Sequence, residues 1–256
     1  MNWLPPNGEL HGITMDAMLR WNLAAVFWMF ILAQILLVVA LLRRKPATDK
    51  RTKASSRRAF LFAWLLPLLA ISGLYARMAI SSRRLWAARR EAPASSRPVE
   101  VEVTGVQFQW YFRYPGADGI FGTTRAALVN APAGNPLGLD PRDPHSRDDI
   151  VSSLLVLPVE QTVEIRLHSR DVIHGFFIPG MRLKQDAIPG MTAQVRFTPV
   201  VTGEYPILCS QVCGLGHARM QAHLRVVSQR EYRDWLAVRE HARLAAESPG
   251  PGESQP

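Results

Sequence analysis

The sequence predicts two membrane-spanning helices at the N-terminus, followed by an all-β sandwich and a short C-terminal helix. Three observations lead to this prediction. Two long apolar runs lie near the N-terminus, short stretches of alternating polarity follow from residue 99, and an amphipathic helical pattern appears only near the end. Hydrophobic residues make up 48% of the 256 residues, which excludes disorder for most of the chain.

Each apolar run is long enough to cross a bilayer. Residues 23–42 contain one strongly polar side chain, and twenty helical residues extend about 30 Å, the thickness of the hydrocarbon core. The second run covers residues 59–76 and includes Pro67, a residue that spanning helices tolerate. We therefore expect helices at about 20–42 and 59–80. Because basic residues rather than a small-residue cleavage site follow the first run, we expect a retained anchor and not a signal peptide.

The connector between the runs predicts their orientation. It carries eight basic residues against Asp49, whereas only Arg20 is basic before the first run. Because such basic connectors face the cytoplasm, we expect a multi-pass protein of a bacterial-type inner (plasma) membrane, with both termini and the following domain on the periplasmic or outer side. The eight basic residues are Arg43, Arg44, Lys45, Lys50, Arg51, Lys53, Arg57 and Arg58.

The net charge of +9 does not indicate nucleic-acid binding. Residues 1–97 hold 15 basic and 4 acidic residues, whereas residues 98–256 hold 15 and 17. A nucleic-acid binder would place its basic residues on the folded domain, with aromatic side chains between them. Here they flank the apolar runs, so we expect a lipid bilayer as a partner and no nucleic acid.

Short period-two stretches predict strands after residue 98. They occupy 99–106, 162–168, 193–197 and 220–227, with Pro and Gly between them, which indicates an antiparallel sandwich or barrel. Pro115 to Ile150 contains five Pro and five Gly and is expected to be a long surface excursion.

The same patterns divide the chain into three parts. We expect an anchor over 1–97, a β domain over 98–228, and a terminal helix with a disordered tail over 229–256. Ser228 and Glu231 have capping-box spacing at the start of that helix.

Two thiols, an imidazole and a thioether lie within twelve residues of one segment. These are Cys209, Cys213, His217 and Met220, and His174 lies 35 residues before the first of them. Two cysteines four residues apart outside the cytoplasm more often form a disulfide, but the histidines and the methionine favour a metal site. A ligand set of thiolate, imidazole and a weak thioether is typical of electron-transfer copper sites, whereas the thioether of methionine is not a typical zinc ligand. Two thiolates facing one space can bridge two metal ions.

This pattern resembles the binuclear copper centre, CuA, of the cytochrome c oxidase subunit II family of heme-copper oxidases. The resemblance covers about residues 15–227 and implies two membrane helices followed by a cupredoxin-like Greek-key sandwich. It implies two copper ions bridged by Cys209 and Cys213, with His174 and His217 as terminal ligands. Weaker ligands would be Met220 and the backbone carbonyl of Gln211. The segments at 105–116 and 183–190 are also similar to the family.

The sequence departs from the family at several positions. Gln211 stands where the family usually has a glutamate that helps to hold magnesium or manganese at the interface with the catalytic subunit, and a neutral amide weakens the case for that ion. The family's electron-entry tryptophan aligns with Phe108, and Trp110 follows two residues later, so both are electron-entry candidates. The stretch from Arg58 to Pro67 has no acidic side chain for proton uptake, and no heme-attachment motif is present.

The resemblance implies an electron-entry subunit of a respiratory oxidase. It would pass electrons from cytochrome c to a heme in subunit I of the oxidase, where oxygen is reduced to water, and this chain itself would hold no catalytic residue. Three alternatives stay open: the CuA subunit of a nitric oxide reductase, a membrane-anchored copper-delivery protein with a thioredoxin-like fold, and a quinol-oxidase subunit, which would lack the copper ligands. We expect three further histidines to have no metal-binding role: His145, His168 and His223.

Overall fold

A computed structural model describes residues 4–43, 53–90 and 97–247. The chain divides into two compact units. One is Ile13–Glu91, and the other combines Met1–Gly12 with Ala92–Pro256. The chain therefore leaves the second unit for the helices and then returns to it.

The first unit consists of two long helices, which confirms the expected pair of N-terminal apolar helices. Helix α1 covers Gly12–Leu42 and α2 covers Lys53–Arg90, so both extend beyond the expected bounds. At 1.5 Å per residue they are about 46 and 57 Å long, more than the hydrocarbon core requires. Both are long and apolar enough to cross a membrane, and their apolar windows are not buried within the protein. Pro67 lies inside α2 without ending it. Part of the basic connector, residues 44–52, lies outside the described residues.

The second unit is a sandwich of two five-stranded sheets. The first sheet has the order β3-β2-β1-β5-β8, and the second has the order β4-β10-β9-β6-β7. In chain order the strands β1 to β10 are Val99–Val106, Gln109–Tyr114, Ile150–Ser152, Leu154–Pro158, Val163–Ser169, His174–Ile178, Leu183–Ala187, Ala193–Phe197, Gly203–Cys209 and Gln221–Val227. The four stretches with period-two patterning are all strands, which confirms the all-β sandwich.

The expectation of a purely antiparallel architecture is wrong in two places. Strand β1 pairs with β5 in parallel, and β4 pairs with β10 in parallel. Two parallel neighbouring strands need a long connection between them. For β1 and β5, the chain passes from β3 in the first sheet to β4 in the second sheet and then returns to the first sheet as β5. Local alternation predicts strands but not the direction of their partners, so the sequence pattern could not show this.

The core lies between the two sheets. Residues alternate between buried and partly exposed along β5, and a similar alternation runs along β10. Aromatic and branched side chains from both sheets are completely buried there, which withdraws a large apolar area from water. Examples from the facing strands are Val101, Val103, Phe112, Ile165, Leu167, Phe176, Ile207 and Leu224.

The excursion after β2 and the C-terminal helix both pack on this sandwich. The excursion contains 3-10 turns at Ala126–Leu128 and Pro144–Ser146 and is anchored by Asp149, which accepts from the buried Arg113. The expected terminal helix is confirmed as α3, Gln229–Glu247. Its start is a capping box, in which the Ser228 amide donates to Glu231 (2.9 Å) and the Glu231 amide donates to Ser228 Oγ (3.2 Å). The expected disordered tail begins at residue 248 and lies outside the described residues.

A segment before α1 completes the second unit, and the sequence analysis did not anticipate it. The Gly8 amide donates to the Gly180 carbonyl (2.9 Å), and the Gly8 carbonyl accepts from the Val200 amide (2.7 Å). The Leu10 amide donates to the Thr198 carbonyl (3.0 Å). Backbone groups, which any residue supplies, make these bonds, so no residue type in the segment predicted them.

Candidate metal centre

Three elements bring the predicted thiols and imidazoles together at one end of the second sheet. Cys209 is the last residue of β9, Cys213 follows in the next loop, and both are free thiols. His174 is the first residue of β6, and the pairing of Phe176 with Cys209 places it beside β9. His217 begins a 3-10 turn after the loop. The convergence that the sequence predicted is therefore present.

Each sulfur has its own imidazole. The two sulfurs, Cys209 Sγ and Cys213 Sγ, are 3.8 Å apart. Cys209 Sγ lies 4.0 Å from Nδ1 of His174, and Cys213 Sγ lies 3.8 Å from Nδ1 of His217. The arrangement is thus a pair of sulfurs with one nitrogen at either end.

The two remaining candidate ligands, Met220 and the carbonyl of Gln211, each lie beside a different cysteine sulfur. Met220 Sδ is 3.7 Å from Cys213 Sγ, and the methionine is buried. The backbone carbonyl of Gln211 is 3.2 Å from Cys209 Sγ. All six residues that the sequence singled out as ligands therefore lie around one small space.

The distances fit metal ions held between these atoms. With metal–sulfur bonds of about 2.3 Å and metal–nitrogen bonds of about 2.0 Å, one ion can join a sulfur and a nitrogen up to about 4.3 Å apart. Both sulfur–nitrogen distances lie below that limit. Two sulfurs 3.8 Å apart correspond to a sulfur–metal–sulfur angle of about 110° with the same bond lengths. Because the donors are soft or borderline, they suit copper.

Burial affects the protonation of the thiols. Burial, with the hydrogen bond and the charge of Cys209, raises the pKa of the Cys213 thiol to about 11. The thiol therefore keeps its proton at neutral pH until a metal ion displaces it, and metal binding at this site releases protons.

Asp171 fixes the orientation of His174. The histidine is completely buried, and its Nε2 lies 2.8 Å from Asp171 Oδ1, so Nδ1 faces the sulfurs. Burial acts to raise the pKa of Asp171, but hydrogen bonds from the Gln107 amide, His174 and the Val172 amide hold the pKa below its usual value. The sequence analysis missed Asp171, although its position three residues before a candidate ligand was a usable signal.

The two aromatic electron-entry candidates occupy different environments. Trp110 is completely buried and contacts His174 edge-to-face, with ring centroids 5.8 Å apart. Phe108 is 39% exposed and lies against the loop between Cys209 and His217. The contact is so close that a Cβ on Gly216 would come within 2.4 Å of the Phe108 ring. Gly214 in the same loop has φ +134°, which favours glycine. Only Phe108 is therefore accessible to another protein.

The three histidines that we expected to have no metal-binding role all have other neighbours or lie on the surface. His168 Nε2 lies 3.0 Å from Thr104 Oγ1, and His145 Nδ1 lies 2.6 Å from Asp118 Oδ2. His223 lies on the exposed face of β10. None of the three is in the group of metal-binding side chains formed by His174, Cys209 and Cys213 within the described residues.

Comparisons with known proteins identify the family of the domain that carries this site. Residues 99–227 match the family model for the periplasmic domain of cytochrome c oxidase subunit II. An alternative cytochrome c oxidase subunit 2 of Bradyrhizobium diazoefficiens is 40% identical over 139 residues, which are 54% of this chain and 50% of that protein. A cytochrome c oxidase subunit 2 of Cereibacter sphaeroides is 34% identical over 149 residues, 54% of this chain and 48% of that protein.

One similar solved structure is the periplasmic domain of subunit II of cytochrome oxidase from Bradyrhizobium japonicum. It is 26% identical, with a TM-score of 0.43, and the match covers 59% of this chain and 99% of that one. The chain spans about half the length of the two subunit 2 relatives. Because the family model matches half of the chain, over the domain that carries the six converging residues, the chain belongs to the cytochrome c oxidase subunit II family.

Proposed function

We propose that the outer domain holds two copper ions bridged by Cys209 and Cys213. His174 and His217 would be the terminal ligands, with Met220 and the carbonyl of Gln211 as weaker ones. The observation that carries this proposal is the pairing of each sulfur with a separate imidazole nitrogen, at 4.0 and 3.8 Å, around sulfurs 3.8 Å apart. A site for a single metal ion would not need two separate sulfur–nitrogen pairs.

The protein's contribution is to hold these ligands in place. When bound, the copper pair would accept one electron and pass it on. His174 and Cys209 are fixed by the β6 and β9 ladder, so they have little freedom to rearrange when the charge of the centre changes. Met220 and Cys213 are buried and keep water away from one side. Rigid ligands and a dry environment favour rapid electron transfer because little reorganisation is required.

The chain then serves as the electron-entry subunit of a respiratory heme-copper oxidase. Cytochrome c would be the electron donor, and the electrons would pass to a heme in subunit I, the catalytic subunit of the assembled complex, where oxygen would be reduced to water. Three apolar side chains surround the loop on its exposed side: Phe108, Val212 (85% exposed) and Leu215, which is fully exposed. Such a rim suits a transient protein partner.

The N-terminal segment supports the proposed topology. Gly8 and Leu10 precede α1, yet they are hydrogen-bonded to the sandwich that follows α2. These bonds support an arrangement in which the chain enters and leaves the pair of helices on one side of the membrane. With the basic connector on the cytoplasmic side, both termini and the copper domain would then lie outside.

The copper-delivery alternative is not supported by the fold. A thioredoxin-like protein places helices between its strands, whereas α3 is the only α-helix in residues 97–247 and follows the last strand. The quinol-oxidase alternative is opposed by the presence of all six candidate ligands.

Copper counting with electron paramagnetic resonance on the full chain in detergent tests the proposal. We expect two copper ions per chain that share one unpaired electron. Cys213→Ser should abolish this signal because a bridge is lost, whereas the control Val212→Ser, on the exposed side of the same loop, should keep it. One copper ion per chain, or an unchanged signal in Cys213→Ser, would refute the dicopper assignment.

A separate measurement identifies the terminal substrate. In the purified complex we expect oxygen consumption with reduced cytochrome c. Nitric oxide turnover without oxygen consumption would instead identify a nitric oxide reductase.

A further inference from the structure

The side chain of Gln211 is tied to a neighbouring strand. Its Nε2 donates to Asp186 Oδ2 at 3.0 Å, and both residues are half-buried. Asp186 lies on β7, opposite Gly175 of β6, one residue along from His174. The hydrogen bond thus joins Gln211, whose carbonyl lies near Cys209, to β7. Strand β7 is the neighbour of β6, which begins with His174.

These residues do not fit the divalent cation that the family resemblance implies here. Magnesium and manganese take oxygen ligands in a strict geometry, with Mg–O bonds of about 2.0–2.1 Å. At this position the chain presents an amide N–H group that already occupies an oxygen of Asp186. A glutamate would add a second negative charge beside Asp186, whereas Gln211 adds none. The amide N–H stabilises the neighbouring carboxylate through a charge-assisted hydrogen bond, so Asp186 has a partner without a cation.

We propose that the Gln211–Asp186 hydrogen bond takes the place of the interface cation and positions the copper loop. This proposal rests on the dicopper function proposed above. The tether holds the backbone of Gln211, and with it the carbonyl that lies 3.2 Å from Cys209 Sγ. Asp186 and the side chain of Gln211 are positioning groups, and the centre keeps its geometry without a divalent cation.

The first test uses the oxidase complex that contains this chain, with Mn²⁺ as the probe. We expect the wild-type complex to show no stoichiometric Mn²⁺ signal from this interface and no change in its copper spectrum on Mn²⁺ addition. Gln211→Glu creates a pair of carboxylates and should bind Mn²⁺ at least about tenfold more tightly, with a copper spectrum that responds to the ion. Gln194→Glu, an exposed glutamine on β8, is the matched control and should behave like wild type.

The second test examines positioning. Asp186→Ala removes the acceptor and should shift the copper hyperfine pattern and the reduction potential, while both copper ions stay bound. Asp186→Asn keeps an oxygen acceptor and should restore most of the wild-type spectrum. A purely structural role would lower stability equally in both variants and leave the potential unchanged.

Each contrary result has a distinct meaning. One tightly bound Mn²⁺ per wild-type complex, lost in Asp186→Asn, would show that the Asp186 carboxylate serves as a cation ligand and would overturn the proposal. Failure of Gln211→Glu to bind Mn²⁺, or an unchanged potential in Asp186→Ala, would overturn it as well. Absence of a dicopper signal in the wild-type chain would instead refute the proposed function, and the Mn²⁺ titration is read independently of that signal.

Discussion

Removal of the Asp171 carboxylate should weaken copper binding without removing any ligand. His174 is completely buried, and its Nε2 has Asp171 Oδ1 as its partner at 2.8 Å. A buried donor left unpaired costs about 1–3 kcal/mol. Loss of such an outer partner typically weakens metal binding about 10–100-fold, or about 1.4–2.7 kcal/mol. Because the imidazole has no access to water, we expect Asp171→Ala to lie near the 100-fold end and Asp171→Asn, which keeps an oxygen acceptor, near tenfold.

Competition with a Cu(I) chelator measures this effect on the full chain in detergent. The dicopper signal should keep its shape in Asp171→Asn and broaden in Asp171→Ala as His174 loses its fixed orientation. Asp234→Ala is the control, since that carboxylate is exposed on α3 and its ion pair with Arg230 is long, at 3.9 Å. Copper affinity of Asp171→Ala within about threefold of wild type would refute the argument that this carboxylate orients the ligand.

Three further changes have expected outcomes. Met220→Leu should keep both copper ions but change the reduction potential and the visible spectrum, because a weak axial ligand is lost. Tyr114→Phe should lower the free energy of unfolding by about 2–4 kcal/mol in denaturant titration. The Tyr114 hydroxyl is buried and bonds both the amide (2.7 Å) and the carbonyl (3.0 Å) of Val156, which the variant leaves unpaired. His145→Gln should reduce thermal stability between about pH 4 and 6.5, and the difference should disappear as the pH rises through the raised folded pKa of His145, as measured by thermal unfolding.

The pH dependence expected for His145→Gln follows from two opposite pKa shifts. The hydrogen bond from His145 lowers the pKa of Asp118, and the same bond raises the pKa of His145. The histidine's contribution is complete below its unfolded pKa of about 6.5 and is lost as the pH rises through its folded pKa. The contribution of Asp118 is present above its unfolded pKa and is lost as the pH falls through its folded one.

Two of these changes have a control variant. Tyr75→Phe, in α2, removes a hydroxyl outside the sandwich (residue 73% exposed) and should not alter the stability of the outer domain. His223→Gln on the exposed face of β10 should show no such pH dependence. A pH-independent loss of thermal stability in His145→Gln would contradict the role of its bond to Asp118. Loss of copper in Met220→Leu would contradict the assignment of Met220 as a weak ligand.

The sequence predicted the features that depend on local pattern. Apolar run length predicted α1 and α2, and alternation predicted four strands of the sandwich, β1, β5, β8 and β10. The spacing of Cys209, Cys213, His217 and Met220 placed four candidate ligands in one loop. These signals work because a helix, a strand and a tight loop each impose a short-range rule on residue type.

The features that the sequence did not predict depend on partners distant in the chain. The parallel pairing of β1 with β5 follows from the crossover between sheets, which alternation does not encode. The burial of Trp110 beside His174, and the bond from Gln211 to Asp186, depend on how β2, β6 and β7 are placed. Resemblance could align Phe108 and Trp110 with the family, but only the fold distinguishes the exposed ring from the buried one.

The attachment of the first residues to the finished sandwich sets an order for biogenesis. Gly8 emerges from the ribosome early, yet its partner Val200 is made 192 residues later, after both helices have been synthesised. Both helices are therefore synthesised before the outer domain can be completed. A peptidase that cut the chain after α1 would break the covalent link between this hydrogen-bonded segment and the rest of the domain, which would stay attached to α2.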